Sequence, residues 1–126
     1  MPTAAALKVL VVDDQNSVRQ MTRMTLEQIG VRHIHEAENG RLAMDTASLQ
    51  PLDLIISDYH LKEGRSGIDA IGELHEAFGG QIPAFLISGD ITQERLRETH
   101  GATHHLLHKP VNPMTLRAIM TRLLKV

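Results

Sequence analysis

The sequence predicts a doubly wound α/β domain, with a five-stranded parallel sheet in the order 2-1-3-4-5 and helices on both faces. Short apolar runs alternate with segments of helical periodicity, the pattern of parallel strands joined by right-handed helical crossovers. The length of 126 residues suits one domain. Polar residues, several of them acidic, directly follow the most apolar runs, where this class of fold places its ligand site.

The strand candidates differ in apolar content, and this difference predicts their order. Val9–Val12, Leu54–Ile56 and Ala84–Ile87 are entirely apolar, as expected for central strands that are covered on both faces. His33–Ala37 and His104–His108 carry polar residues, which suit the edges of a sheet. The order 2-1-3-4-5 satisfies both observations and puts the topological switch point between strands 1 and 3.

Five helices are predicted from apolar spacing and from residues typical of helix ends. In the first helix, Val18, Met21, Thr25, Leu26 and Ile29 are assigned to one face. Met21 in this helix and Met44 in the second are predicted to fill the core rather than to form a recognition surface. The end signals are Gly30 after the first helix, Asn39-Gly40 before the second, Gly79-Gly80 after the third, Asp90 with Gln93 at the start of the fourth, and Asn112-Pro113 at the start of the fifth.

Polar side chains from four strand ends are predicted to converge. Asp13 and Asp14 follow strand 1, Asp58 follows strand 3, Ser88 follows strand 4 and Lys109 follows strand 5. Because parallel strands end at one rim, these side chains would share a crevice. Three carboxylates there favour a hard divalent cation with oxygen ligands, above all Mg²⁺. With a lysine and a hydroxyl added, the set fits phosphoryl transfer to a carboxylate nucleophile.

Composition excludes several other classes of function. The absence of cysteine excludes disulfides, thiol catalysis and thiolate metal sites. A formal charge of −2 and only three aromatic residues argue against a nucleic-acid partner. No apolar stretch approaches the length of a membrane span, and the first residues lack the basic region of a signal peptide, so we expect a cytoplasmic protein without membrane contact.

Four segments carry a resemblance to a known family. VLVVDD, LIISDYHL, LISGD and LLHKPVNP resemble, in order and at suitable spacing, the signature segments of response regulator receiver domains of two-component signalling. The resemblance extends from about Lys8 to Leu124. It implies one receiver domain over residues 1–126, without an output domain, that takes a phosphoryl group from a phosphohistidine of a sensor histidine kinase or of a histidine phosphotransfer protein.

The resemblance also implies a role for each residue of the crevice. Asp58 would be the phosphoacceptor and would bind Mg²⁺ together with Asp13, Asp14 and the backbone carbonyl of His60. Phosphorylation would then repack the surface of the fourth helix, fifth strand and fifth helix, where a downstream protein docks. In addition, Ser88 and Lys109 would bind phosphoryl oxygens, and the Lys109–Pro110 bond is often cis in this family.

Some positions depart from the family pattern. Leu106 stands where relatives usually carry the aromatic residue that turns inward on activation. The loop after Asp58 is one residue longer than usual before it reaches the helix-opening glycine, Gly67. DYHL with its longer loop, LISGD and LLHKP resemble receivers attached to hybrid sensor kinases more than those of transcription factors. His60 and Asp90 stand two residues beyond Asp58 and Ser88, where the family tunes the lifetime of the phosphorylated state.

Other interpretations remain open at this point. A Mg²⁺-dependent phosphohydrolase would usually need a second carboxylate two residues after its nucleophile, where this chain has His60. A flavodoxin-like cofactor binder would place a phosphate against DDQNS, which would repel it. A receiver that is no longer phosphorylated would serve as an interaction module. Taken alone, Asp13-Asp14 would also fit a helix cap, and the histidine pairs of strands 2 and 5 would fit metal ligands, although they lie on opposite sheet edges.

Overall fold

The computed structural model describes residues 4–61, 65–80, 82–89, 104–109 and 111–124. A short 3₁₀ turn, Ala4–Ala6, precedes the first strand. The strands are β1 (Lys8–Val12), β2 (His33–Ala37), β3 (Leu54–Asp58), β4 (Ala84–Ser88) and β5 (His104–His108). The helices are α1 (Asn16–Gln28), α2 (Gly40–Leu49), α3 (Gly67–Phe78) and α4 (Pro113–Leu124), and α4 is the helix predicted as the fifth.

The sheet has the predicted order, β2-β1-β3-β4-β5, and every neighbouring pair of strands is parallel. The register aligns the carboxyl ends of the strands: Val12 pairs with both Ala37 and Ser57, and Asp58 pairs with Ile87. All residues of β3 and β4 are buried, whereas the edge strand β2 is partly exposed. The ranking of central and edge strands by apolar content is therefore confirmed.

The core consists of two apolar layers, one on each face of the sheet. Successive residues of a strand point to opposite faces, so Val9 and Leu10 belong to different layers. One layer packs under α1 and α4 through residues such as Leu26 and Leu116. The other packs under α2 and α3 through residues such as Ile71. Among the described residues, both faces of the sheet thus carry packed helices, and the carboxyl ends of the strands lie together at one rim.

The predicted helix ends are confirmed within the described residues. The Asn39 side chain accepts a hydrogen bond from the Leu42 N–H at 2.9 Å and starts α2. Gly79 ends α3 with a φ of 118°, a conformation that side chains disfavour. Asn112 accepts from the Met114 N–H at 2.8 Å at the start of α4. The fourth helix predicted from Asp90 and Gln93 lies outside the described residues.

The predicted inward face of α1 is wrong at Met21. Met21 is 57% exposed, and the buried residues are Thr22 and Leu26. One residue turns the helix by about 100°, so an apolar stripe centred on Thr22 and Leu26 leaves Met21 at its margin. Thr22 tolerates burial because its hydroxyl donates to the Val18 carbonyl at 3.2 Å. Met44, in contrast, packs against the core layer under α2 and α3 as predicted.

β3 and β4 each extend beyond the predicted apolar runs, to Asp58 and Ser88, so these two polar residues are the last residues of buried strands. None of the helices within the described ranges has the length and apolar character needed to cross a membrane.

Candidate functional site

Three carboxylates meet at the carboxyl ends of β1 and β3. Oxygen atoms of Asp13, Asp14 and Asp58 lie within 4.8 Å of one another. Asp13 is 2% exposed and Asp58 is 6% exposed, whereas Asp14 is half-buried. Burying like charges this close together is unfavourable unless a cation joins them. The convergence predicted from the strand ends is therefore present for these three residues.

The sheet ladder itself holds these residues at the rim. The Asp13 N–H donates to the Ala37 carbonyl at 3.0 Å, which extends the β1–β2 pairing by one residue. The Tyr59 N–H donates to the Ile87 carbonyl at 2.8 Å, directly after Asp58. These main-chain hydrogen bonds hold the two strand ends in place, so the backbone limits how far the carboxylates can separate.

Lys109 supplies a positive charge to this group. Its Nζ lies 3.0 Å from Oδ1 of Asp58, and one quarter of its side chain is exposed. The Lys109 N–H donates to the Ser88 carbonyl at 2.9 Å, so β4 positions the lysine as it leaves β5. Ser88 is buried at the end of β4. One lysine balances only one of three carboxylates, which leaves the site with an excess of negative charge.

Electrostatics single out Asp13. Burial raises the pKa of its carboxyl from 3.8 to about 6. The hydrogen bond from the Gln15 N–H, at 2.9 Å, acts in the opposite direction. The value of about 6 is the net result: the negative charges of Asp58 and Asp14 also raise the pKa, and Lys109 lowers it. A bound cation would offset both the burial of the Asp13 charge and its repulsion by the other two carboxylates.

Gly67 presses the start of α3 against Asp58. A Cβ atom at this position would lie 2.3 Å from the Asp58 carbonyl oxygen and 2.6 Å from the Leu86 side chain. The Gly67 N–H donates to the Tyr59 carbonyl at 2.7 Å. Sequence reasoning recognised Gly67 only as the glycine that opens a helix. Its close contact with Asp58 depends on β4 as well, so no local pattern could indicate it.

The loop after Asp58 folds back on itself. His60 pairs with Ser66 in an antiparallel bridge, and the Leu61 N–H donates to the Arg65 carbonyl at 3.0 Å. Ser66 caps α3 and exchanges hydrogen bonds with Asp69. His60 is exposed beside the Tyr59 ring, with ring centroids 5.1 Å apart. The unusual loop is therefore anchored at both ends, and residues 62–64 lie outside the described residues.

Comparison with known proteins decides the family. The family model of the response regulator receiver domain matches residues 9–121. This chain belongs to that family.

Individual relatives agree with this assignment. The chain is 24% identical to chemotaxis protein CheY-3 of Vibrio cholerae over 113 residues, which is 88% of this chain and 86% of CheY-3. It is 36% identical to the nitrate/nitrite response regulator protein NarP of Escherichia coli over 121 residues, 94% of this chain but only 56% of NarP. The crystal structure of Vibrio cholerae chemotaxis protein CheY4 superposes with a TM-score of 0.81 at 32% identity, covering 93% of this chain and 98% of CheY4.

The donor set of this receiver domain fits Mg²⁺. Receiver domains generally bind this ion through acidic residues, and hard cations prefer carboxylate and carbonyl oxygens. Within the part of the chain that the structure describes, Asp13, Asp14 and Asp58 are the only cluster of three or more acidic, histidine or cysteine residues close enough to share a metal. The histidines of the described residues form no such cluster, so the histidine metal site has no structural support.

Leu106, in the position where relatives usually carry an aromatic residue, is partly buried. It pairs with Leu86 in the register of β4 and β5 and packs against the core layer under α2 and α3. A leucine there is already engaged with the core. The two remaining residues of the predicted site, Asp90 and Pro110, lie outside the described residues.

Proposed function

We propose that this receiver domain accepts a phosphoryl group on the carboxylate of Asp58 with Mg²⁺ as cofactor. Asp13, Asp14 and Asp58 would hold the ion, together with the backbone carbonyl of His60. When bound, Mg²⁺ supplies positive charge that neutralises the phosphoryl oxygens. The observation that carries the proposal is the placement of Lys109 Nζ 3.0 Å from Asp58, within a group of three carboxylates of which two are buried.

Each side chain of the site would have its own role in the phosphoryl transfer. An oxygen of Asp58 forms the new bond to phosphorus while the phosphorus–nitrogen bond of the donor phosphohistidine breaks, and the freed imidazole takes up a proton. Lys109 would move from the Asp58 carboxylate to a phosphoryl oxygen. The buried hydroxyl of Ser88 would donate to another phosphoryl oxygen. We expect the domain to catalyse only its own phosphorylation and dephosphorylation.

The partners follow from this role. The donor would be a sensor histidine kinase or a histidine phosphotransfer protein, and the output would be a protein that docks on β5, α4 and the predicted fourth helix. Leu106 lies on β5, next to the strand that carries Ser88, so a shift of Ser88 would reach it through the β4–β5 pairing. His60 and Asp90 would tune the lifetime of the phosphorylated state.

Intact-mass spectrometry tests the proposal. The full chain is incubated with Mg²⁺ and acetyl phosphate, and we expect the mass of one added phosphoryl group. Asp58→Asn and a Mg²⁺-free sample should show none, whereas Asp45→Asn, on an exposed part of α2, should react like the wild type. No adduct on a folded, Mg²⁺-bound wild type, together with no response to beryllofluoride, would refute phosphorylation and favour an interaction module. Multiple turnover on a phosphate ester would instead indicate a phosphohydrolase.

A further inference from the structure

We propose that Arg19 is a positioning residue for the acidic site, and that its guanidinium holds Asp13 in the orientation that Mg²⁺ binding requires. The inference rests on the proposed function, because it assumes that Asp13 is a Mg²⁺ ligand. It adds a residue that touches neither the ion nor the phosphoryl group.

Three hydrogen bonds hold Asp13 in place. Its N–H donates to Ala37 on β2, and its side chain accepts from the Gln15 N–H. Its carbonyl oxygen accepts from Nη1 of Arg19 at 2.8 Å. The first two bonds are made by the main chain of neighbouring segments and survive most substitutions. The third depends on one side chain.

Arg19 is itself aimed by further contacts. Its Nε lies 3.0 Å from Oε1 of Glu36 on β2, and its Nη2 donates to the Asn16 side chain at 2.7 Å. Only 15% of the Arg19 side chain is exposed. All three guanidinium nitrogens therefore contact an oxygen atom. The planar guanidinium of arginine suits this position because it can donate several hydrogen bonds in fixed directions at once. These contacts run from Glu36 through Arg19 to the Asp13 carbonyl, and we call this set of contacts the strut. The strut joins the edge strand, α1 and the end of β1.

The strut matters because Asp13 sits among like charges. The carboxylates of Asp14 and Asp58 repel that of Asp13, and an unsupported Asp13 would relieve the repulsion by turning away. Mg²⁺ binding would then have to restore the orientation, at a cost in affinity. Partners that orient a metal ligand commonly change metal affinity by about 10–100-fold when they are removed.

Arg23 provides a matched control. Its Nη1 lies 2.8 Å from the other carboxylate oxygen of Glu36, so it also joins α1 to β2. It donates to the Ile34 carbonyl rather than to Asp13. Loss of Arg23 should therefore weaken the attachment of α1 without changing the support of Asp13. A purely structural role for Arg19 would give the two arginines the same effect.

The experiment compares Arg19→Gln, Arg19→Lys and Arg23→Gln with the wild type. Isothermal titration calorimetry measures the Kd for Mg²⁺ at pH 8, and urea denaturation in EDTA measures stability. We expect Arg19→Gln to raise the Kd about tenfold, and Arg23→Gln to leave it within twofold at a comparable loss of stability. Lysine can reach the Asp13 carbonyl but not Asn16 and Glu36 as well, so Arg19→Lys should give an intermediate Kd.

Hydrogen exchange gives a second measure of whether Asp13 keeps its orientation. The Gln15 N–H donates to the Asp13 side chain, so its hydrogen exchange should accelerate in Arg19→Gln and not in Arg23→Gln. Equal Mg²⁺ affinities for Arg19→Gln and Arg23→Gln would overturn the inference. If Arg19→Gln does not fold, Arg19→Lys is compared with Arg23→Gln by the same criterion. A wild type that binds no Mg²⁺ would refute the proposed function itself, which keeps the two failures distinct.

Discussion

Asp13→Asn should stabilise the metal-free domain while it weakens the Mg²⁺ site. The substitution removes the charge of a buried carboxylate but keeps the oxygen that accepts from the Gln15 N–H. The new amide can donate to the neighbouring carboxylates of Asp14 and Asp58, which lie within 4.8 Å. Stability is therefore expected to rise because a buried charge and its repulsion are removed while the hydrogen bond from Gln15 is kept.

The magnitude follows from the pKa of Asp13. Its pKa is 3.8 when unperturbed and about 6 in the folded protein, so ionisation of Asp13 disfavours the folded state. The penalty is absent below pH 3.8, grows as the pH rises, and is complete above about pH 6. At ~1.4 kcal/mol for each pH unit of difference, the full penalty is about 3 kcal/mol at pH 8 and about half of that at pH 5.

Urea denaturation in EDTA at pH 8 and pH 5 measures this difference. Asp13→Asn should exceed the wild type by up to about 3 kcal/mol at pH 8 and by about half as much at pH 5. Asp45→Asn, at an exposed position of α2, serves as the control and should change stability little at either pH. Added Mg²⁺ should stabilise the wild type more than Asp13→Asn, because it binds the folded wild type more tightly. A variant no more stable than the wild type at pH 8, or a gain that is equal at both pH values, would refute the reasoning.

Three further predictions concern the same site. Lys109→Gln should lower stability in EDTA by about 1–3 kcal/mol and abolish phosphorylation by acetyl phosphate, because Asp58 loses its cationic partner; unchanged urea midpoints would contradict this. The affinity for Mg²⁺ should fall by up to about tenfold for each pH unit below about 6, because a proton competes with the ion for Asp13. Calorimetry from pH 5 to pH 8 measures this dependence, and an affinity that does not change with pH would contradict it. Gly67→Ala should lower the free energy of unfolding by about 1–3 kcal/mol or more, because its Cβ meets the Asp58 carbonyl. Gly72→Ala in the same helix meets nothing within 4 Å and should raise that free energy by about 0.5–1 kcal/mol. Equal urea midpoints for the two variants would contradict the close contact at Gly67.

The features that the sequence predicts well are those that a single segment determines. Apolar content alone separates β3 and β4 from the edge strands, because strands covered on both faces leave no place for polar residues. Helix ends were equally accessible, since Asn39 and Asn112 act on N–H groups only two or three residues away. The convergence of Asp13, Asp14 and Asp58 followed from one further fact, that parallel strands end at a common rim.

Features that depend on how distant segments approach one another were not predictable. The sequence treats Asp13 and Asp14 as an equivalent pair, but only Asp13 is fully buried. The role of Gly67 depends on the Leu86 side chain of another strand. Arg19 looks like an ordinary surface residue of α1 until Glu36 of β2 is brought beside it. In each case the decisive neighbour is many residues away along the chain.

The contact between Gly67 and Asp58 has a practical consequence for observing this domain at work. No side chain separates the first residue of α3 from the carbonyl of Asp58, so we expect a displacement of that carbonyl to shift the helix. Glu76 is exposed near the far end of α3, and the native chain contains no cysteine. A dye attached to Glu76→Cys would therefore label a unique thiol near the end of α3. The opposite end of this helix contacts the residue that we propose is phosphorylated, so the dye could report movement of α3 on phosphorylation.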